Sequence, residues 1–179
     1  LAERLRGAGY ATGAFVSASV LDRAFGLDRG FERYDDEVGE AVAGPGGAWK
    51  AERPARETLA RALAWLAEQR SGRPVFLWVH LFEPHDPYLP PAPFDSRFAD
   101  DRYSGETAAT DAALARLLEH PRFRREAEAI VSVIGDHGES LGEHGEATHG
   151  ILLHEATLHV PWLLAAPGIP PRRLGGLVS

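Results

Sequence analysis

Val75-Phe76-Leu77-Trp78-Val79 is an unbroken apolar run of strand length that leads through His80-Leu81-Phe82-Glu83-Pro84 to His85 and Asp86. It lacks polar–apolar alternation, and so predicts a strand covered on both faces, as in parallel sheets flanked by helices. The prolines from Pro84 to Pro93 exclude helix and central strand, so a fixed loop is expected where the strand ends. The pattern returns downstream. Ala129-Ile130-Val131-Ser132-Val133-Ile134 reads as a second buried strand and delivers Gly135-Asp136-His137-Gly138. Val160 to Ala165 reads as a third, ended by Pro167-Gly168.

Helical patterns lie between these runs. Leu59, Leu63 and Leu66 recur at i, i+4 and i+7, predicting a helix from Pro54 to Gln69, with Pro54 near the first turn and Ser71-Gly72 ending it. Ser104 to Glu119 reads as another, with Leu114, Leu117 and Leu118 as core candidates and Pro121 just beyond its end. Leu1 to Ala8 reads as an amphipathic helix stopped by a glycine C-cap at Gly9, followed by a short strand, Ala14 to Ser17. From Leu21 to Gly47 the text is rich in Gly, Asp and Arg, with Gly44-Pro45-Gly46-Gly47 as its clearest break, which predicts an irregular surface excursion. Within it Asp35-Asp36, after Tyr34, reads as an exposed turn rather than a metal-binding pair. Alternating strands and helices give an α/β fold with a mostly parallel central sheet sandwiched between helices. Ligands in such sheets sit beyond the carboxyl ends of strands, where both polar clusters fall.

At 179 residues, with 44% hydrophobic and 25% charged residues, the chain has the makings of one globular domain with a sizeable core. Disorder, collagen and coiled coil are excluded on that balance. A formal charge of −7 repels a phosphate backbone, so no nucleic-acid partner is expected. No apolar run reaches the roughly 18 to 20 residues that span a bilayer, and the basic-then-apolar order of a signal peptide is missing. Membrane association is therefore expected only through segments outside this sequence. The absence of Cys removes disulfides, thiolate metal ligands and a Cys nucleophile from these residues. Lys50 is the one lysine, which leaves little amine chemistry. Leu at position 1 and no Met anywhere lead to the expectation of an internal piece of a longer protein.

Five of the eight His lie between 137 and 159, interleaved with Asp136, Glu139, Glu143, Glu146 and Glu155. Carboxylate oxygens mixed with imidazole nitrogens suit zinc or manganese better than calcium or magnesium, which favour all-oxygen shells. Gly135, Gly138, Gly142 and Gly145 make the stretch a loop whose backbone can approach a ligand closely. A solvated, charged loop would have the same composition. In Glu83-Pro84-His85-Asp86-Pro87-Tyr88, prolines on both sides restrict His85, as an imidazole acting at a defined distance requires; a plain rigid turn uses the same residues.

Three separated stretches together resemble the sulfatase family of the alkaline phosphatase superfamily: Leu1 to Asp36, Pro74 to Leu118 with its WVHLFEPHDPYLPP core, and Ile130 to Gly168 with GDHGESLGEHGEATHG and HEATLHVPWLLAAPG. They occur in the family's order and cover nearly the whole chain. The resemblance implies an alkaline phosphatase-like fold, with residues 1–179 forming one partial catalytic domain. It implies metal-dependent hydrolysis of sulfate or phosphate-type esters by the intact parent, and weak or no turnover by these residues alone. Asp136 and His137 occupy the metal-ligand pair, where many sulfatases carry Asp-Asn with calcium; His at 137 leans toward manganese or zinc. His85 matches the histidine of the His-x-Pro loop, which contacts the transferred group or the leaving oxygen. His149, thirteen residues after Asp136, stands where many relatives place a Lys near the ester oxygens.

The family's N-terminal Asp-Asp pair and its Cys/Ser-x-Pro-x-Arg nucleophile motif do not occur in the sequence. The implied substrate is a small anionic ester, including glycan- or lipid-linked ones. Periplasmic or extracellular location is common among relatives, though no residue here displays it. Two rivals accompany this reading: a phosphoethanolamine or phosphoglycerol transferase on the same fold, and a non-catalytic remnant that binds metal or an anion.

Overall fold

The computed structural model describes residues 1–39, 43–44, 47–48, 52–123 and 129–175. Pro45-Gly46 of the glycine-rich break, and Lys50, lie outside the described residues. The chain divides into two compact units, Leu1–Leu117 and Leu118–Ser179.

The first unit holds α1 (Ala2–Gly7), β1 (Ala11–Phe15), β2 (Arg33–Asp35), the short antiparallel pair β3 (Ala43–Gly44) and β4 (Gly47–Ala48), α2 (Ala55–Glu68), β5 (Val75–Val79), α3 (Phe94–Arg97) and α4 (Arg102–Leu118). β1 is central in a three-stranded sheet of order β2-β1-β5, parallel to both neighbours. Apart from Phe15 its fully buried residues are small, and that is what makes the layers close. Gly13 faces the Trp65 indole of α2, and a Cβ there would sit 2.8 Å from the ring, so only glycine lets the helix approach. Phe15, two residues on and hence on the same face, meets Trp65 at 5.9 Å between centroids. On the opposite face Ala14 is in register with Tyr34 and Trp78. The methyl group leaves room for these rings to approach across it, at 6.4 Å, and Phe31 closes that layer against Tyr34, Phe76 and Trp78.

α2 runs where the leucine spacing predicts. Leu59 and Leu66 are fully buried and Leu63 half-buried; each buried leucine contributes about 1.5–3 kcal/mol of transfer free energy. Gly9, just after α1, adopts φ +91°, a left-handed conformation that stops the helix at no steric cost, whereas α2 already ends at the extended Gln69 and Gly72, at φ +82°, turns the chain that follows.

Three expectations require correction. β5 is half-buried throughout, because it flanks the sheet, while the deeply buried strand is β1, which starts three residues earlier than predicted. The region read as an irregular excursion contains β2, and Asp35 at its end is not in an exposed turn: it is 2% exposed. In the second unit, β6 (Val131–Ile134) and β7 (Trp162–Ala165) pair antiparallel, and neither is buried on both faces as expected: β6 alternates half-buried and exposed residues and β7 is exposed throughout. Parallel pairing requires a crossover connection, usually a helix. Between β6 and β7 lie only loop, a 3-10 turn and the four-residue α5 (Glu155–Leu158), which return the chain directly.

Candidate active site

In the second unit, the loop leaving β6 brings together three of the four residues singled out from the sequence. The His137 backbone N–H donates to Asp136 Oδ1 at 3.0 Å, turning the chain so that the carboxylate and the imidazole point the same way. His137 Nδ1 lies 2.8 Å from the Gly138 carbonyl. A carbonyl only accepts, so Nδ1 carries a proton and Nε2 is the ring nitrogen left to face a ligand. Nε2 is 3.8 Å from Asp136 Oδ1, and both side chains are exposed. The His149 ring lies against His137, centroids 4.0 Å apart. His149 Nδ1 is 3.1 and 3.2 Å from the two carboxylate oxygens of Glu139, whose side chain is 5% exposed.

The loop keeps this shape through its backbone. Gly138 N–H donates to the Thr157 carbonyl at 2.8 Å, and a Cβ at Gly138 would fall 2.0 Å from the Ala156 carbonyl oxygen, so the close approach demands glycine. Ser140 is fully buried and shares its hydroxyl between the carbonyls of Glu143 and Glu146. Glu146, also buried, accepts from the N–H groups of Ile151 and Leu152 and lies 3.3 Å from His154 Nε2. Burial works to raise its carboxyl, but the two N–H groups and His154 outweigh that and hold it below the usual glutamate range. Glu146 and His154 are therefore structural, tying a glycine-rich loop into one conformation. Asp136 and His137 are the pair it presents.

His85 belongs to the first unit, in the loop after β5. Its ring stacks on Phe82 at 4.1 Å, and Nδ1 lies 2.8 Å from the Asp86 carbonyl. Two carboxylates on either side hold the loop. Glu83 accepts from Ala55 N–H at 2.9 and 3.0 Å, a negative charge at the N-terminus of α2. Glu106 of α4, 5% exposed, accepts from His85 N–H at 3.0 Å and from Leu89 N–H at 2.6 Å. A pocket of about 290 Å³ opens here, with Glu52, Arg56, Phe82, Glu83, Leu89 and Glu106 in its walls. Burial pushes both the Glu52 and the Glu83 carboxyl up.

Asp136 and His137 fit part of a cation shell. Their donor atoms, 3.8 Å apart, lie within the roughly 4.2 Å that two metal bonds of about 2.1 Å can bridge, and the tethered Nδ1–H is how metal-binding imidazoles are oriented. Among the described residues no three His, Asp or Glu side chains converge as a complete cage, so a full shell needs donors beyond these two. The sequence reading did not assign Glu139 or Glu106. For Glu106 a signal existed: a lone acid on a helix face otherwise made of Gly105, Ala109 and Ala113 has no reason to be there unless it is bonded.

The sulfatase family model matches residues 1–179. No curated protein matches the chain. Among solved structures, an alkaline phosphatase superfamily protein from Vibrio parahaemolyticus shares 20% identity, covering 96% of this chain and 42% of its own, with a TM-score of 0.59. BT4656, solved with its substrate D-glucosamine-2-N,6-O-disulfate, shares 15% over 93% of this chain and 55% of its own, at 0.66. The lipoteichoic acid synthase LtaP from Listeria monocytogenes shares 17% over 95% of this chain and 47% of its own, at 0.63. The fold is thus alkaline phosphatase-like, and the chain spans about half the length of these structures.

Proposed function

The chain belongs to the sulfatase family, and on that footing we propose that the whole protein hydrolyses small anionic esters of the sulfate or phosphate type with the aid of a divalent cation. The observation that carries this reading is the pairing of Asp136 Oδ1 with His137 Nε2 at the carboxyl end of β6, with His149 packed against His137. Asp136 and His137 bind the cation. Bound there, it supplies positive charge to the non-bridging ester oxygens. In the reaction a nucleophile attacks sulfur or phosphorus in line, the ester bond to the alcohol oxygen breaks, and a proton passes to that oxygen from His85 or His149. Glu139 holds the His149 ring in place for this, and the Phe82 stack and the Asp86 carbonyl do the same for His85.

A sulfated or phosphorylated sugar is the substrate class we favour, since BT4656, which shares the fold, takes a sulfated glucosamine. A second reading, transfer of a phosphoglycerol-type group to a lipid or glycan acceptor, draws support from LtaP, a synthase on the same fold. The test is turnover of 4-methylumbelliferyl sulfate and bis(4-nitrophenyl) phosphate by the full-length protein, after metal stripping and with calcium, manganese or zinc restored. Asp136→Ala and His137→Ala should lower bound metal and cut turnover at least about a hundredfold. Unchanged metal content in both variants would sink the metal assignment. Transfer to a glycerol-lipid acceptor in place of hydrolysis would favour the second reading, and bound metal with neither activity would mark a binding domain.

A further inference from the structure

We propose that Glu106 is a positioning residue for His85, a role that rests on the reading of His85 as the group acting on the ester. Prolines at 84, 87, 90, 91 and 93 strip this loop of N–H groups, so from Pro84 to Pro91 only His85, Asp86, Tyr88 and Leu89 can anchor it through a backbone donor. Tyr88 N–H turns back to the His85 carbonyl at 3.0 Å. Of the remaining three donors, two end on one side chain: His85 N–H on Glu106 Oε2 at 3.0 Å and Leu89 N–H on Oε1 at 2.6 Å. One buried carboxylate thereby brackets the turn at both ends, and His85 is its first residue.

The helix beneath is shaped for this. A Cβ on Gly105 would stand 3.0 Å from both Pro90 and Phe98, tighter than side chains ordinarily pack, so glycine brings the first turns of α4 up to the loop. Tyr103, one turn before Glu106, meets Tyr88 edge-on at 5.7 Å. Two parallel N–H groups facing two oxygens are a demand that a carboxylate meets and an amide does not, because glutamine places one NH2 against a donor. The charge-assisted bonds are also stronger than neutral ones. Glu106 touches no reacting atom in this account; it sets where the His85 ring stands, and a misplacement of about 1 Å at such a group can cost on the order of a hundredfold in rate.

The test is a double-mutant cycle in the full-length protein, reading kcat and KM on 4-methylumbelliferyl sulfate and bis(4-nitrophenyl) phosphate. Glu106→Gln should lower kcat about tenfold or more with KM changed less than about threefold, and should add little to the loss already caused by His85→Ala. Equal losses in the presence and absence of the His85 ring would overturn the positioning role while leaving His85 itself in place. So would an unaltered kcat in Glu106→Gln. Full activity in His85→Ala would overturn the His85 reading, and this proposal with it. Should Glu106→Gln fail to fold, Glu106→Asp keeps the charge and draws the carboxylate back from the two N–H groups, and its kcat loss must likewise vanish in the His85→Ala background.

Discussion

Asp35 Oδ1 lies 2.6 Å from Arg53 Nη1, with 2% of either side chain exposed. Arg53 also donates to the Val16 carbonyl at 2.9 Å and to Thr58 Oγ1 at 3.0 Å. Thr58 in turn meets Ser17, whose hydroxyl donates to the His80 carbonyl. The network ties the ends of β1, β2 and β5 to the start of α2, and so fixes the platform from which the His85 loop departs. Removing Arg53 takes away the one fully buried guanidinium and leaves the Asp35 carboxylate to Arg33 and Arg61, whose side chains are far more exposed. Arg53→Ala should cost about 3–5 kcal/mol in urea unfolding, whereas the paired replacement Asp35→Leu/Arg53→Met should recover most of that. A cost below about 1 kcal/mol for Arg53→Ala would mean that Arg33 and Arg61 hold the Asp35 carboxylate without it.

The same cluster sets the acid limb of stability. Burial alone would raise the Asp35 carboxyl, but the guanidiniums of Arg53, Arg33 and Arg61 reverse that and hold it below the usual aspartate range. Its bonds to Arg23 hold Asp36 low as well. With a folded pKa below the unfolded one, each contributes stability that is complete above about pH 4 and is lost as pH falls through the folded value. Unfolding midpoints followed by circular dichroism should therefore drop steeply below about pH 4. Asp35→Asn should lower stability at pH 7 and make that drop shallower; an acid limb identical to wild type would remove Asp35 as its source.

Where an apolar pattern was bounded by proline or glycine, the sequence was a sufficient guide: α2, α4 and β5 stand within two residues of their predicted limits. What could not be read there was cover. Among the described residues Ala11 to Ala18 is the longest buried stretch, yet apart from Phe15 it holds only small and medium side chains, because burial follows a strand's place in the sheet and not the bulk of its side chains. Arg33-Tyr34-Asp35 is too short and too charged to announce a strand, and its burial depends on Arg53, eighteen residues away. Trp162 to Ala165 announces a strand but not its partner. At the site, Asp136, His137 and His149 were legible as residue types in a glycine loop, and the structure assembles them. Glu139 was not, since its role is a hydrogen bond to a group ten residues away, and for Glu106 only its place on a small-residue helix face could be read, not the loop donor twenty-one residues away that it binds.

Gly138 offers a test of the loop without touching a donor atom. A Cβ there would be 2.0 Å from the Ala156 carbonyl oxygen, far inside contact distance and against backbone rather than a yielding side chain. Gly138→Ala should displace the segment that carries Asp136 and His137, lowering turnover and bound divalent metal about tenfold or more while the far-ultraviolet circular dichroism stays close to wild type. Retention of both would show that the two donors are held by something other than this close approach.

Glu139 separates orientation from metal binding. Its two oxygens hold His149 Nδ1 and the structure gives them no contact with Asp136 or His137. Glu139→Ala should lower kcat on 4-methylumbelliferyl sulfate about tenfold or more, the scale expected when a proton-transfer group is left unoriented, with metal content by elemental analysis unchanged. Loss of metal together with kcat would instead make Glu139 part of the cation shell.

The imidazole at position 137 should decide which ion is bound. An imidazole nitrogen suits zinc and manganese, while an amide oxygen in its place gives the all-oxygen surroundings that calcium prefers. His137 also has its Nδ1–H tied to the Gly138 carbonyl, so Nε2, 3.8 Å from Asp136 Oδ1, is the ring atom available to an ion. His137→Asn should lower zinc and manganese affinity by about tenfold or more relative to calcium, measured by competitive titration of the full-length protein after metal stripping. Turnover restored by calcium in the variant, where zinc or manganese is needed by the wild type, is the expected companion result. An unchanged order of preference would show that the ion is chosen by ligands other than His137, and would leave Asp136 as the single donor of this loop.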